Sequence, residues 1–164
     1  NAIDLFLVVN GKAPRVAILS AVETVNEDIP STLDATALCK MAERGQITGA
    51  LLDGPLAFDN ALSEEAAEIK GIRSQVAGKA DILVVPDLES GNILFKQLVL
   101  LSGAHMAGIV LGAKVPIILT SRASSAIARK ASCALALLTV RGRNSGFAKT
   151  ECHDEIKAHV VQEG

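Results

Sequence analysis

The chain alternates short runs of β-branched and other apolar residues with stretches of helical pattern. Runs of the first kind occupy residues 15–21, 47–52 and 81–86, and two more follow at 107–111 and 115–120. Strands that alternate with helices are typical of α/β domains, in which the connecting helices make the sheet largely parallel. The sequence therefore predicts a three-layer α/β fold with a largely parallel sheet and helices on both faces.

The composition indicates an aliphatic core in one domain of ordinary size. The chain has 164 residues, of which 49% are hydrophobic, but it has no Trp or Tyr and only four Phe. No apolar run approaches the roughly 18–20 residues that cross a bilayer, so we expect no membrane association. The three cysteines, Cys39, Cys133 and Cys152, are few and widely spaced. This pattern favours a cytoplasmic protein over a disulfide-linked one.

Charge is distributed unevenly along the chain. Residues 90–150 contain eight Lys and Arg but no Asp or Glu, whereas residues 1–89 contain 14 acids and seven bases. A segment without carboxylates binds anions without internal competition, which favours phosphate or nucleotide-like ligands. Nucleic acid is the other possible partner, but Tyr and Trp side chains for base stacking are absent, so we expect none.

Helix boundaries follow from capping patterns and turn residues. Ser31 and Asp34 fit a capping box that opens a helix, and Ser63 before two glutamates fits another helix start. The apolar stretch at 93–101 predicts a central helix after a Gly-Asn pair, and the Ala-rich stretch at 123–138 predicts a helix as well.

The strongest candidate site is Ser121-Arg122, at the junction between a predicted strand and the following helix. Ligands of open α/β sheets bind beyond the carboxyl ends of strands, and helix N-termini bind anions through free N–H groups. Arg122 adds a cationic fork that suits phosphate. The structural alternative is that Ser121 or Ser124 caps the helix and that Arg122 is a solvated surface charge.

A second candidate lies between the strand at 81–86 and the next helix. Gly91, in the sequence Ser90-Gly91-Asn92, would let a ligand approach the backbone closely, and Lys96 follows one turn later. An ordinary capped turn is the alternative. The third candidate covers residues 53–61, with Asp53 and Asn60, for which a simple strand–helix turn is equally possible.

Three segments in this order resemble the signature stretches of the phosphate acetyl/butyryltransferase family: DGPLAFDNA, VVPDLESGNILFKQL and VPIILTSRASS. The segment RVAILSAVETVNEDIPSTLDA is similar to the strand and loop that precede them, especially in members fused behind an enoyl-CoA hydratase-type domain. The resemblance covers residues 1–138.

The resemblance implies a fold, a reaction and roles for residues. The fold is the second lobe of a two-lobed isocitrate/isopropylmalate dehydrogenase-like architecture, usually homodimeric, and the reaction converts acyl-CoA and phosphate into acyl phosphate and coenzyme A, with no cofactor. Ser121 would donate a hydrogen bond to the reacting carbonyl and Arg122 would bind phosphate. The remaining residues of the implied site are expected to bind substrate: Asp53, Asn60, Ser90, Gly91, Asn92, Lys96 and Ser124.

The sequence departs from the family at the proposed general base. Acetyltransferase members place an Asp seven residues after the Ser, where this chain has Ala128, and the butyryl and fused branch commonly places it three residues after, where this chain has Ser124. Three explanations are possible. Another residue serves as the base, the reaction proceeds slowly with coenzyme A whose thiol is already ionised, or this copy of the enzyme is inactive.

The last residues differ from the rest. We expect residues 1–140 to form the C-terminal lobe and residues 141–164 an atypical polar tail with a helix at 151–161. Cys152, His153, Asp154 and His159 fit no established metal spacing, so we expect no metal.

Two further functions remain as alternatives. The chain could be a non-catalytic module that keeps a coenzyme A-binding or dimerisation surface of the family. A metal-dependent dehydrogenase of the isocitrate type, which has a related fold, would need a cluster of acids that residues 90–150 do not offer.

Overall fold

The computed structural model describes residues 1–144, with side chains through Gly142. The chain divides into two compact units, one formed by Ala13–Gly91 and the other by Asn1–Lys12 with the chain from Asn92 onward. The helices are α1 (Ala2–Asn10), α2 (Pro30–Glu43), α3 (Phe58–Leu62), α4 (Glu64–Ile69), α5 (Leu88–Leu101) and α6 (Ala126–Asn144). The strands are β1 (Arg15–Leu19), β2 (Leu51–Leu56), β3 (Ile82–Val84), β4 (Ile109–Val110) and β5 (Ile117–Ile118).

A three-stranded parallel sheet in the order β2-β1-β3 is the centre of the unit Ala13–Gly91. Val16 in β1 pairs with Leu52 on one side and with Ile82 on the other. Four of the five residues of β1 are buried, as expected for a parallel strand covered on both faces. The predicted α/β class and the parallel sheet are therefore confirmed.

The core of this unit is aliphatic, as the composition indicated. Buried Leu19, Leu56 and Val76 form one cluster with four alanines, and small side chains let the helices approach the sheet closely. Ser63 caps α4 by accepting a hydrogen bond from the backbone N–H of Ala66 at 3.2 Å, which confirms that predicted helix start.

The second unit contains a short antiparallel hairpin, β4 and β5, in which Ile109 pairs with Ile118. The hydroxyl of Ser132 on α6 accepts the N–H of Gly108 at 3.0 Å and donates to the carbonyl of Ala128 at 2.8 Å. Where α1 meets α6, a Cβ on Gly142 would lie 2.4 Å from a methyl of Val8, so only glycine fits there. These contacts tie α6 to the hairpin and to α1.

Several predicted boundaries were wrong. The capping box at Ser31 is absent, because α2 begins at Pro30 and no side chain caps it. Proline suits the first helical turn, where its missing N–H needs no partner. The Ser31 hydroxyl instead lies 2.8 Å from that of Ser20. The strand predicted at 47–52 runs from Leu51 to Leu56, so the expected Asp-Gly-Pro turn belongs to β2.

The apolar helix predicted at 93–101 begins earlier, at Leu88, and has no buried residue among those that the structure describes. Ile93, Leu100 and Leu101 are each at least 67% exposed. Its predicted central position is therefore wrong for this chain taken alone. The helix predicted at 151–161 lies outside the described residues.

Candidate active site

Ser121 and Arg122 lie in the turn between β5 and α6, as the sequence predicted. The Ser121 hydroxyl accepts the backbone N–H of Ala123 at 3.3 Å, and the Ser121 carbonyl accepts that of Ser124 at 2.9 Å. Both side chains are exposed. The guanidinium of Arg122 has no hydrogen bond or ion pair with any described residue.

The N-terminus of α6 has its own serine cap, which is neither Ser121 nor Ser124. The hydroxyl of Ser125 accepts the N–H of Ala128 at 3.1 Å, a normal capping contact. The Ser124 hydroxyl is buried and lacks a partner within residues 1–142. Capping therefore explains Ser125, and it leaves the roles of Ser121 and Ser124 open.

The Ser90-Gly91-Asn92 segment lies inside the first turns of α5. Asp87 caps this helix, because its Oδ1 accepts the N–H of Ser90 at 2.6 Å. That backbone hydrogen bond, more than any other contact, lowers the pKa of Asp87. A Cβ on Gly91 would lie 3.0 Å from a methyl of Val85, so packing by itself favours glycine at this position.

Asn92 and Lys96 are exposed on α5, and no described residue pairs with the ammonium group of Lys96. Asp53 lies within β2, where its Oδ1 accepts the N–H of Gly54 at 2.8 Å. Asp53 pairs with Ala17 of β1 in the sheet register, and its carboxylate is partly exposed.

Asn60 is fully buried in α3, close to the carboxyl end of β2. Its amide Nδ2 donates to Oε2 of Glu23 at 3.2 Å, whereas its Oδ1 has no partner among the described residues. The Glu23 contact orients the amide, because only the nitrogen can donate to a carboxylate.

Lys70 joins this group as a bridge between two carboxylates. Its Nζ lies 3.2 Å from Oε2 of Glu23 and 3.1 Å from Oδ2 of Asp59. The hydrogen bond from Lys70 lowers the pKa of Asp59, with help from the N–H of Asn60. The same bond, together with the one to Glu23, raises the pKa of Lys70.

Sequence reasoning singled out Asn60 but missed Glu23 and Lys70. The three side chains meet because Glu23 follows β1 and Asn60 follows β2, and these strands are neighbours in the sheet. The position of Glu23 shortly after β1 could have identified it as a candidate site residue. Lys70 lies 47 residues after Glu23 in the sequence. It follows a short helix, and no local sequence pattern marks it as a site residue.

The structure thus gathers two separate sets of predicted residues, one in each unit. Ser121, Arg122 and Ser124 share one turn, and Asn60 shares the group around Lys70. Within the described part of the chain, no cluster of His, Cys, Asp and Glu could hold a metal ion. No helix in the same part is long and apolar enough to cross a membrane. The residues Cys152, His153, Asp154 and His159 lie outside it.

Comparison with known proteins identifies a family for most of the chain. Residues 1–137 match the family model described as "Phosphate acetyl/butaryl transferase". The chain is 65% identical over 145 residues to a phosphate acetyltransferase of Rhizobium meliloti, covering 88% of this chain and 46% of that protein. It is 47% identical over 138 residues to a phosphate butyryltransferase of Clostridium acetobutylicum, covering 84% of this chain and 46% of that protein.

A solved structure has the same fold. The branched-chain phosphotransacylase from Enterococcus faecalis V583 superposes with a TM-score of 0.75 at 37% identity, covering 85% of this chain and 50% of that one. The chain therefore spans about half the length of the relatives it matches. The family match covers both units and includes the Ser-Arg turn, the Ser-Gly-Asn helix start and the buried asparagine. This chain belongs to the phosphate acetyl/butyryltransferase family.

Proposed function

We propose that this chain is the C-terminal portion of a phosphate acyltransferase that converts an acyl-CoA and phosphate into an acyl phosphate and coenzyme A. Acetyl and butyryl are the acyl groups that the names of its relatives carry. Acyl-CoA and phosphate are both substrates, and the reaction needs no additional cofactor.

The observation that carries the proposal is the exposed guanidinium of Arg122, which has no partner among the described residues. It is exposed in the turn before α6 and is paired with no described acid, in a segment where residues 90–150 contain no Asp or Glu. An arginine without a carboxylate partner binds phosphate without first breaking an ion pair, and its planar fork matches two phosphate oxygens.

The chemistry assigns separate roles to the two residues of the turn. A phosphate oxygen attacks the thioester carbonyl carbon, the C–S bond breaks, and the thiolate of coenzyme A leaves. Arg122 holds the attacking phosphate and offsets its charge. The hydroxyl of Ser121 donates to the carbonyl oxygen as negative charge develops there, which stabilises the tetrahedral intermediate.

The reverse reaction requires a base for the thiol of coenzyme A. A thiol with an ordinary pKa near 8.5 is mostly protonated at neutral pH. Ala128 is buried and Ser124 carries a hydroxyl, so neither position of the family's acid supplies a carboxylate. Because both directions pass through the same transition state, we expect the lack of this carboxylate to slow the reaction in both directions, with the sulfur of coenzyme A exchanging its proton with solvent.

The wider architecture is part of the same proposal. By resemblance, residues 1–140 form the second lobe of a two-lobed, homodimeric enzyme of isocitrate/isopropylmalate dehydrogenase-like fold, with helices on both faces of its sheet and a polar tail at 141–164. The 15–35 segment supports a parent in the branch fused to an enoyl-CoA hydratase-type domain. Few, widely spaced cysteines support a cytoplasmic enzyme.

A non-catalytic module is the second candidate function. The exposed apolar side chains of α5, such as Leu100 and Leu101 at 78% exposure each, favour it for this chain taken alone, because such a surface suits association with another polypeptide. Such a module would keep a coenzyme A-binding or dimerisation surface without turnover.

Phosphate-dependent release of coenzyme A separates the two candidates. The thiol released from acetyl-CoA and butyryl-CoA is measured with this chain alone and with a full-length form, in which the chain is joined to the first half that its relatives carry. The transferase proposal predicts release by the full-length form that depends on phosphate. Absence of that release in the full-length form would leave only the binding module.

A further inference from the structure

The start of α6 presents a row of backbone N–H groups next to the turn that carries Arg122. The N–H groups of residues 125–127 have no hydrogen-bond partner among the described residues, and all three residues are exposed. Because α6 has 19 residues, its N-terminus is the positive end of a long helix dipole. Free N–H groups in this position favour an oxyanion as their partner.

Ser124 gives a second and independent indication of a ligand at this turn. The residue is only 9% exposed, and its Oγ is buried without a partner within residues 1–142. A buried hydroxyl that makes no hydrogen bond is unfavourable, and an oxyanion in the turn would remove this cost by accepting its hydrogen. With the guanidinium of Arg122, the turn therefore offers three kinds of hydrogen-bond donor.

Carboxylates that could compete with a bound anion are scarce in this unit. Residues 92–142 contain six Lys and Arg but no Asp or Glu. Asp4 in α1 is the one acid among the described residues of the unit, and its carboxylate lies 3.8 Å from the N-terminal ammonium of Asn1. A strongly positive surface of this kind attracts dianions more than monoanions.

Phosphate and sulfate have the same tetrahedral shape but differ by a proton. At neutral pH phosphate keeps at least one P–OH group, which needs an acceptor, whereas every oxygen of sulfate is an acceptor. A carboxylate beside the anion would accept the P–OH hydrogen and repel sulfate, so it would select phosphate. A hydroxyl such as that of Ser124 both donates and accepts, so it suits either anion.

We infer that this turn binds sulfate and phosphate with similar affinity, and that Ser124 is the residue responsible for the lack of selectivity. Arg122 and the free N–H groups bind the oxygens that both anions share. The Ser124 hydroxyl donates to sulfate or accepts from the P–OH group of phosphate. Phosphate as the natural ligand rests on the transferase function proposed above, whereas the anion site itself does not.

NMR titration of the 164-residue chain with sodium sulfate and with sodium phosphate tests this inference at constant ionic strength and neutral pH. Both anions should shift the backbone amide signals of residues 121–127, with dissociation constants within about threefold of each other. Ser124→Asp is expected to weaken sulfate binding about tenfold or more. Phosphate should lose no more than about threefold, because its P–OH group donates to the new carboxylate.

Two control variants isolate the role of Ser124. Ser124→Asn adds no charge and should leave the ratio of the two dissociation constants unchanged. Ala134→Asp adds the same charge at an exposed position of α6, about 12 Å along the helix from its first residue. Salt screens that distance, so this variant should also keep the ratio of the parent chain.

Three results would overturn the inference. One is sulfate binding at least tenfold weaker than phosphate binding in the parent chain. Another is the absence of any shift at residues 121–127 with either anion. The third is an equal loss of sulfate binding in Ser124→Asp and Ala134→Asp, which would assign the effect to net charge and not to this residue.

Turnover of the full-length form separates this inference from the proposed function. Sulfate should raise the KM for phosphate without lowering kcat, and Ser124→Asp should abolish this competition. Turnover that sulfate does not affect, in a chain that binds no sulfate, removes the inference and keeps the transferase. Binding of both anions in a full-length form without turnover keeps the anion site and removes the transferase.

Discussion

The guanidinium of Arg15 forms a two-pronged ion pair with the carboxylate of Asp81. Arg15 Nε lies 2.9 Å from Asp81 Oδ2, and Nη2 lies 3.2 Å from Oδ1. Asp81 Oδ2 also accepts the backbone N–H of Arg15 at 2.9 Å. Arg15 opens β1 and Asp81 directly precedes β3, so the pair aligns the amino ends of two parallel strands.

Replacing Asp81 with Ala is expected to lower the free energy of unfolding by about 1–3 kcal/mol, because it removes a partly buried acceptor of three hydrogen bonds. The control is Glu43→Ala, which breaks the exposed pair of Lys40 and Glu43 and should cost less than about 1 kcal/mol. Urea unfolding of both variants measures the difference. Equal losses would show that the Arg15–Asp81 pair contributes no more than a surface contact.

Lys70 sets the acid titration of Asp59. Because the folded state lowers the pKa of this carboxyl, ionised Asp59 stabilises the fold above its ordinary pKa. The contribution disappears as the pH falls through the lowered value. Lys70→Gln is expected to move the pKa of Asp59 back toward its ordinary value, as carboxyl ¹³C NMR measures. Lys79→Gln, which removes a different ammonium group, should leave it unmoved, and an unmoved Asp59 in Lys70→Gln would refute the assignment.

The two described cysteines should differ widely in reactivity. Burial, together with the negative charges of Asp53 and Glu43, raises the pKa of Cys39 to about 11. At pH 8 only about one Cys39 thiol in a thousand is ionised, whereas Cys133 is exposed on α6. In a Cys152→Ser background, iodoacetamide should modify Cys133 first and Cys39 only at strongly alkaline pH. Mass spectrometry follows both sites, and similar rates at pH 8 would contradict the burial of Cys39.

Ser124→Asp tests whether a missing base limits the reaction toward acyl-CoA. The position directly precedes the cap of α6, where the helix N-terminus favours a carboxylate. In the full-length form we expect this reaction to accelerate by about a hundredfold or more at neutral pH, the usual contribution of general base catalysis. Ser124→Asn is the neutral control of the same shape. Equal rates in the Asp and Asn variants would show that the base lies elsewhere.

Within the described residues, the predicted strands and helices occur in the predicted order, but several of their boundaries could not be read from the sequence. The run at 47–52 has the composition of a strand, yet pairing with β1 places the strand at Leu51–Leu56. Gly54 fits inside this strand because it has no side chain. A Cβ at this position would lie only 2.8 Å from the carbonyl oxygen of Ile18. This close approach between neighbouring strands is a tertiary contact, and an Asp-Gly-Pro sequence taken alone indicates a turn.

The candidate site could be predicted only where it is local in sequence. The turn with Ser121 and Arg122 was found because both residues follow a strand and precede a helix. The contact of Asn60 with Glu23 spans 37 residues, and only the order of the strands brings the two together. The sequence also predicted a central position for the apolar helix α5, and this was wrong. An apolar sequence shows which surface of a helix could be buried, but it does not show what covers that surface.

The role of Arg122 is tested by the turnover of the Arg122→Ala variant in the full-length form, followed in both directions. If Arg122 holds phosphate, kcat/KM for phosphate should fall about a hundredfold, with partial recovery in Arg122→Lys, which keeps the charge but loses the fork. Arg129→Ala, which removes another exposed arginine of the acid-free segment, should retain near-normal rates. Unchanged turnover of Arg122→Ala in both directions would show that Arg122 does not hold phosphate during the reaction.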